Sequence, residues 1–453
     1  MTGVGGAYVA SAENTEGAAV NAASPSVRNP YSTDWFDYDI AIGASLPGAF
    51  SSTDFDNRGD AYNLPSPRAG DFIDLTLGGT LKFGALGIAA TGDLEQYSLT
   101  TTGAANAPTG GSGLTLELGR WKVLGAYALF DGQLVLGGGV RFLTMQIHNN
   151  ESNFLPIQTG TSLLLQHGAT LLTMTGAGPE VGALFMPTGA QVRVGAAVRS
   201  EVSGGVFGGE NVTRSALGLQ TTGPFVLPSS VDMPWEVDLG IAYQLGPRPL
   251  NPGWHNPHEQ EASLRKQIAD ARAARKAQRD QELAALPEAA RVVRQAQLDA
   301  EEDVARAAED ERLDAEIKHL HDEALARYEN WPREKILLLA SVLLTGPSPN
   351  AVSLEGFLDQ RVETVGRVVT ATPRFGIEGE PLRDEMQLRV GTYVEPSRYE
   401  AGTPRQHFTF GGDIRLIPFD FWGLLPKDPW KIGFIVDLAP RYTNYGLGLG
   451  TWH

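Results

Sequence analysis

The chain contains no cysteine among its 453 residues. That absence excludes disulfide scaffolds, thiolate metal sites and cysteine nucleophiles. Basic residues are outnumbered by acidic ones, 36 against 53, which leaves a formal net charge of −17. A nucleic-acid-binding protein needs a basic face to neutralise phosphates, so we expect no nucleic-acid partner.

Long hydrophobic runs are also missing. A transmembrane helix needs about 18 or more consecutive apolar residues, whereas the apolar stretch 336–344 has the length of a strand. The first residues lack the basic and apolar regions of a signal peptide. We expect that an export signal preceded this chain and was removed.

Glycine, in contrast, is abundant, with 53 residues, many of them inside apolar runs. Such glycines are typical of β-structure in which backbones approach closely. Several segments alternate with a period of two: in 235–245 the odd-numbered residues are apolar and the even-numbered ones are small or polar. The same period recurs at 191–199, 407–416 and 430–441. Strands of membrane barrels and of soluble sandwiches both alternate in this way, so two interpretations stay open.

Two further features favour the membrane barrel. Aromatic residues gather near strand ends, as an interfacial girdle requires; examples are Trp35, Trp121, Trp235, Trp331, Trp422, Trp430 and Trp452. The connections also alternate between long loops and tight joints, the latter at 84, 131–132, 187–189 and 380–383. Long outer loops and short periplasmic turns are typical of outer-membrane barrels.

We therefore predict an all-β transmembrane barrel of about fourteen antiparallel strands. Their predicted positions are 36–50, 70–83, 85–101, 112–130, 132–148, 168–187, 190–203, 233–246, 332–346, 364–379, 384–396, 406–417, 431–442 and 445–452.

The composition changes abruptly over about 258–330, where Ala, Glu, Arg, Asp, Gln and Lys dominate and Pro287 alone breaks the pattern. This composition predicts a long α-helical hairpin with helices at 258–285 and 288–329. The second helix would reach ~60 Å, longer than a bilayer is thick, so it must project into solvent. If the first strand begins at the periplasm, the connections after even-numbered strands all lie on the periplasmic side. The insertion follows strand eight, so this strand parity predicts that it is periplasmic.

Leu313, Ile317 and Leu320 are spaced like the seam of a short coiled coil. Two interpretations of the insertion remain open. It is either a solvated helical hairpin folded on itself, or a surface at 258–329 for self-association or a periplasmic partner.

The N-terminal segment 5–24, GGAYVASAENTEGAAVNAAS, resembles the opening of the long-chain fatty-acid transporter (FadL-like) family of outer-membrane proteins. Asn21, Ala22 and Ala23 stand where that family has an Asn-Pro-Ala-type motif, with Ala22 in the place of the proline. The segment 227–243 also resembles the family's mid-barrel strand. The family pattern has no helical insertion of this size.

The resemblance implies a 14-stranded barrel in the outer membrane of a Gram-negative bacterium, with residues 1–34 folded inside as a plug. It implies passive uptake of hydrophobic or amphipathic small molecules such as long-chain fatty acids, without a cofactor. Outer-membrane lipid and the hydrophobic cargo would be its partners. The expected organisation is a plug at 1–34, strands one to eight at 35–250, the insertion at 251–331 and strands nine to fourteen at 332–453.

The polar face of the strands supplies the candidate lumen residues, which are Arg193, Arg199, Glu236, Asp238, Arg374, Arg389, Asp413, Arg415, Asp437 and Arg441. Buried charges must be paired, so these residues either hold the plug in place or select solutes. No nucleophile elbow and no zinc-protease motif occur in the sequence. We therefore predict no enzyme activity, no catalytic residue and no metal site. The alternative function is a docking barrel whose helices hold a periplasmic or envelope partner.

Overall fold

The computed structural model describes residues 2–28, 35–48, 54, 57–58, 68–100, 113–150, 170–206, 213–214, 220–222, 225–252, 257–330, 332, 335–349, 351–353, 357, 364–382, 384–400, 402–419 and 428–452. The chain forms two compact units. The first comprises residues 1–28, 38–253 and 333–453, and the second comprises residues 29–37 and 254–332.

The first unit is a closed antiparallel barrel of fourteen strands, which confirms the predicted fold. The strands are β1 Phe36–Pro47, β2 Arg68–Phe83, β3 Leu86–Thr100, β4 Gly113–Leu129, β5 Leu134–Asn150, β6 Thr170–Phe185, β7 Val192–Arg199, β8 Glu236–Leu245, β9 Ile336–Thr345, β10 Thr370–Leu382, β11 Met386–Glu395, β12 Arg405–Phe419, β13 Asp428–Ala439 and β14 Tyr442–Thr451. Each strand pairs with its neighbours in sequence, and β14 pairs with β1 to close the barrel.

The period of two separates an apolar outer face from an inner face. On β4, for example, Val123 is 58 % exposed while its neighbour Leu124 is 2 % exposed. Tyr127, Phe142 and Val181 share the exposed outer face of β4 to β6. An apolar band on the outside of a closed barrel is stable when it contacts the acyl chains of lipids. This unit is therefore an outer-membrane β-barrel. Among the described helices, none is long and apolar enough to cross a membrane.

Shorter strands lie outside the fourteen. Val202–Val206 pairs with β6 and with Ser230–Met233, and so extends the wall beyond β7 and β8. Two further small sheets comprise Thr213–Arg214, Gln220–Thr222 and Phe225–Leu227, and Ala351–Val352 with Thr364–Val365.

Two turns differ from their predicted positions. Strand β10 continues to Leu382, so the predicted joint at 380–383 lies too early, and Asp384 makes the turn with a φ of 56°. Ala439 pairs with Tyr442, which makes Arg441 a turn residue with a φ of 58°.

The second unit contains helices α2, Pro257–Ala284, and α3, Glu288–Glu329, as predicted. Ion pairs join the two helices: the Arg272 Nε–Glu309 Oε2 distance is 2.9 Å and the Arg279 Nη1–Asp299 Oδ1 distance is 3.0 Å. In the predicted seam, Leu313 is buried and Ile317 and Leu320 are half-buried. The interhelical pairs favour a hairpin folded on itself.

Candidate functional site: the barrel interior

The inner face of β4, β5 and β6 is arranged in layers along the strands. At the end that carries the tight turns, small residues contact the N-terminal segment. Charged side chains occupy the middle of the strands. Beyond them, near the long connections, the inner face becomes apolar.

The apolar layer, here called the apolar cluster, consists of Leu116, Leu118, Leu143, Met145, Ile147, Leu172, Met174 and Val202, all buried. Strand register aligns its members, since Met145 pairs with Leu118 on one side and with Met174 on the other. The inner face of the barrel therefore carries a contiguous, buried apolar layer near its long connections.

The charged layer beneath it, the Arg199 cluster, comprises Lys122, Arg141, Glu180, Arg199 and Glu236. The Arg199 Nη1–Glu236 Oε2 distance is 3.1 Å, the Lys122 Nζ–Glu180 Oε2 distance is 3.2 Å, and the Arg141 Nη1–Glu236 Oε2 distance is 3.6 Å. Three cations thus share two carboxylates, which leaves one positive charge in excess.

Two cations of the Arg199 cluster also donate hydrogen bonds to the N-terminal segment. The Lys122 Nζ donates a hydrogen bond of 2.7 Å to the Ala19 carbonyl oxygen. Arg199 donates another to the Val20 carbonyl oxygen. Because buried donors need acceptors, these bonds join the wall of the barrel to the segment inside it.

That segment, residues 2–28, fills the interior with short elements: 3-10 helices at Thr2–Val4 and Ser24–Ser26, and α1 at Asn14–Ala18. It is almost entirely buried, as expected for the plug. Residues 29–34, also assigned to the plug from sequence, lie outside the described residues.

Asn21 joins the plug to the wall. Its Nδ2 donates to the Val9 carbonyl at 2.9 Å and to the Ala183 carbonyl on β6 at 3.2 Å. Its Oδ1 accepts from the Ala23 amide at 3.0 Å. Ala22 and Ala23 are buried beside it, and the predicted motif therefore lies where the plug meets β5 and β6.

Two wall glycines make this contact possible. A Cβ atom at Gly137 would clash with the Ala22 carbonyl, and one at Gly182 would clash with the Asn21 side chain. Only glycine lets the plug backbone approach the strands so closely.

A second group of charges, the Arg389 cluster, lies on the opposite wall and comprises Lys335, Glu378, Arg389, Asp413 and Lys431. Arg389 lies 2.8 Å from Glu378 and 2.6 Å from Asp413, measured between nitrogen and oxygen atoms. Lys335 pairs with Glu378 as well, which places that carboxylate between two cations.

The Arg389 cluster also reaches the plug. The Lys431 Nζ lies 2.6 Å from Glu16 Oε1 of α1. The positive charge of Lys431 lowers the pKa of that plug carboxyl. The plug is thus tied to both walls by charged groups.

The other predicted lumen residues divide into two sets. Arg193 pairs with Glu13 of the plug. Arg374 lies 3.2 Å from Asp238 and donates to the Gly6 carbonyl at 3.3 Å. These side chains lie on the inner face with the clusters.

Asp437 lies on the inner face too, near the long connections. It accepts hydrogen bonds from Tyr393 Oη at 2.8 Å and pairs with His407 Nδ1 at 2.9 Å. The structure does not place the last two predicted residues in the lumen. Arg415 pairs with Asp384 in the β10–β11 turn, and Arg441 is exposed in the β13–β14 turn.

Sequence reasoning missed several interior residues. Lys122, Arg141 and Glu180 lie on predicted strands, and their position in the alternation was the available signal. Asn251 had no such signal, because it follows β8 outside any strand. Its Nδ2 donates to the Pro187 carbonyl at 3.0 Å, and its Oδ1 accepts from Arg193 at 2.6 Å.

In the part of the chain that the structure describes, no three His, Asp or Glu side chains gather as a metal site would require. The arrangement provides apolar contact, charge pairing and a plug that is held by hydrogen bonds and ion pairs. These properties suit binding and passage of a solute.

No protein-family model and no curated protein matches this sequence. Among solved structures, the chain is similar to the Pseudomonas putida toluene transporter TodX, with a TM-score of 0.45, 11% identity, and coverage of 96% of this chain and 91% of that one. It is similar to the monoaromatic hydrocarbon channel CymD, with a TM-score of 0.43, 10% identity, and coverage of 99% and 94%.

A Pseudomonas aeruginosa FadL homologue also matches, with a TM-score of 0.39, 12% identity, and coverage of 94% of this chain and 93% of that one. In each case the similarity spans nearly the full length of both chains.

Proposed function

We propose that this chain is an outer-membrane channel for the passive uptake of hydrophobic or amphipathic small molecules, such as long-chain fatty acids. The apolar cluster inside the barrel carries this proposal, because eight buried apolar side chains line the interior near the long connections. Lipopolysaccharide blocks apolar solutes, so a protein path must offer them apolar contacts and then release them.

Release of the solute requires that the plug can be displaced. Here the plug is held by hydrogen bonds and ion pairs, such as those of Asn21 and Glu16, and the chain has no cysteine for a covalent link. Each such contact is non-covalent and therefore reversible. Diffusion past a displaced plug needs neither a cofactor nor an energy source.

Uptake measurements test the proposal directly. Cells of a Gram-negative host without its own fatty-acid channel would express the full chain, a chain without residues 1–34, or a chain without residues 258–330. We expect the full chain to accelerate uptake of radiolabelled oleate and hexadecane, and the chain without the plug to accelerate it further. Uptake no faster than in cells with empty vector ends the proposal.

A matched pair of substitutions isolates the apolar cluster. Leu143→Asn places an amide among the cluster side chains, and we expect it to slow oleate uptake. Leu136→Asn makes the same change on the outer face of the same strand, where the side chain is exposed. Equal uptake by the two variants would count against a path along the cluster.

One observation on the insertion supports the docking alternative. Val293 and Val304 are exposed on α3. They are eleven residues apart, about three helical turns, and so share a face. Strand parity predicts that the insertion, and with it this face of α3, lies in the periplasm. A photoreactive residue at Val293 that cross-links a partner, with no effect of deleting 258–330 on uptake, would favour docking as the insertion's role.

A further inference from the structure

An aromatic side chain from a distant part of the chain lies against the apolar cluster. Phe357 belongs to the connection between β9 and β10, yet it packs against the apolar cluster, most of whose members lie on β4, β5 and β6. In the closed strand order, β7 and β8 stand between β6 and β9. Because the cluster lies on the inner face near the long connections, the Phe357 ring lies inside the barrel at that end.

Contacts with two other connections fix this position. The Phe357 amide donates to the Ser353 carbonyl at 2.9 Å, and Ser353 Oγ lies 2.6 Å from Tyr399 Oη. Tyr399, in the β11–β12 connection, is buried. The Arg58 guanidinium, from the β1–β2 connection, lies 5.2 Å from the centre of the Tyr399 ring.

The support for Tyr399 does not depend on Phe357. Asn57 Nδ2 donates to the carbonyls of Glu395 at 3.2 Å and Thr403 at 2.9 Å. Ser397 Oγ donates in turn to the Asn57 carbonyl at 2.8 Å. The β1–β2 and β11–β12 connections therefore form one framework, from which the Ser353–Tyr399 contact positions Phe357.

We propose that Phe357 is a stopper of this channel: its ring packs against the apolar cluster together with Tyr97, Val231 and Met233, and cargo that binds the cluster displaces it. The cargo half of this statement rests on the proposed function, whereas the stopper itself does not. A phenyl ring offers the cluster the same apolar contact that a hydrophobic solute would offer, so ring and solute compete for one surface. The plug closes the path at one end and Phe357 restricts it at the other.

The lack of native cysteine allows a direct test in the full chain. Met145→Cys places a single thiol in the apolar cluster, and a sulfonated maleimide added outside the cells reports access to it. We expect slow labelling in this background and about tenfold faster labelling when Phe357→Ala is added, because burial of one aromatic ring biases a two-state equilibrium by about that factor or more.

Two further variants keep the test decisive. Phe130→Ala removes an exposed aromatic ring from the β4–β5 turn, and we expect unchanged labelling. Tyr399→Phe keeps the buried ring and removes only the hydroxyl that contacts Ser353, and we expect labelling between the two extremes. Labelling that neither Phe357→Ala nor Tyr399→Phe accelerates overturns the stopper.

Oleate uptake separates this inference from the proposed function. Faster labelling together with faster uptake in Phe357→Ala supports both. Faster labelling with no oleate uptake in any variant supports the stopper and rejects the fatty-acid channel. Uptake by the unchanged chain without any effect of Phe357→Ala on labelling supports the channel and rejects the stopper.

Discussion

Ion pairs organise both the barrel interior and the helical hairpin, but their surroundings differ. In the Arg389 cluster the side chains of Arg389 and Glu378 are 10% and 5% exposed. In the hairpin, Arg272 is 30% exposed and its partner Asp310 is 61% exposed. Water screens the hairpin pairs, whereas little water reaches the interior pairs. The same residue types therefore fix the structure in one region and contribute solubility and modest stability in the other.

The comparison predicts that Glu378→Ala has the largest effect on the stability of the barrel. The substitution leaves Lys335 and Arg389 close together without the carboxylate between them, so we expect the free energy of unfolding to fall by about 3–5 kcal/mol. Denaturant titration of the protein in phospholipid vesicles, followed by tryptophan fluorescence, measures the change.

Glu309→Ala on α3 is the matched control, because it also removes one carboxylate from two cations, here Arg272 and Arg275. We expect the barrel transition to be unaffected and the hairpin to lose only a little stability. Equal losses from the two substitutions would show that burial does not distinguish the two regions.

A smaller effect is expected from Asn21→Ala. The change leaves the buried carbonyls of Val9 and Ala183 and the amide of Ala23 without this partner. Each unsatisfied buried group costs about 1–3 kcal/mol, and the loss falls on the contact between plug and wall. Hydrogen exchange of residues 2–28 in the full chain should therefore accelerate, while exchange of the strands stays unchanged.

Asn330→Ala serves as its control, because the exposed Asn330 side chain donates to the Ala326 carbonyl at the end of α3. Faster exchange of the plug in both variants would mean that Asn21 has no special part in docking it.

The barrel and the hairpin also differ in how far the sequence predicts them. Local patterns suffice for the secondary structure: alternation at 191–199 predicts that Arg193 and Arg199 face inward, and composition predicts α2 and α3. Partners across the interior require strand register, closure of the barrel and the path of the plug. The contact of Lys122 with Ala19 depends on all three, so no local pattern reveals it.

The prediction of inward-facing residues fails where the two-residue alternation of the sequence continues through a turn. Lys431, Asp437 and Arg441 have the same parity, which predicts one face, yet the hairpin after Ala439 removes Arg441 from the strand. Phe357 was missed for the opposite reason, because its connection has no period at all. Its contact with the apolar cluster follows only from the three-dimensional path of the connections.

The smallest expected effect concerns pH and the hairpin. Hydrogen bonds from Arg275 and Arg272 lower the pKa of Glu309 to about 2. The pKa is lowered in the folded state, so this stabilisation is complete above the ordinary glutamate pKa of about 4.3. It is lost as the pH falls from there towards 2.

Circular dichroism at 222 nm isolates the helices, since the rest of the described chain is largely β-structure. We expect the thermal midpoint of the helical signal to fall between pH 5 and pH 2, and to fall less in Glu309→Gln. Glu311→Gln, which neutralises an exposed acid on the same helix, should keep the wild-type slope. Because exposed pairs are screened by ions, 1 M salt should reduce the difference between wild type and Glu309→Gln. A pH slope identical in all three proteins would show that the interhelical arginines do not stabilise the hairpin.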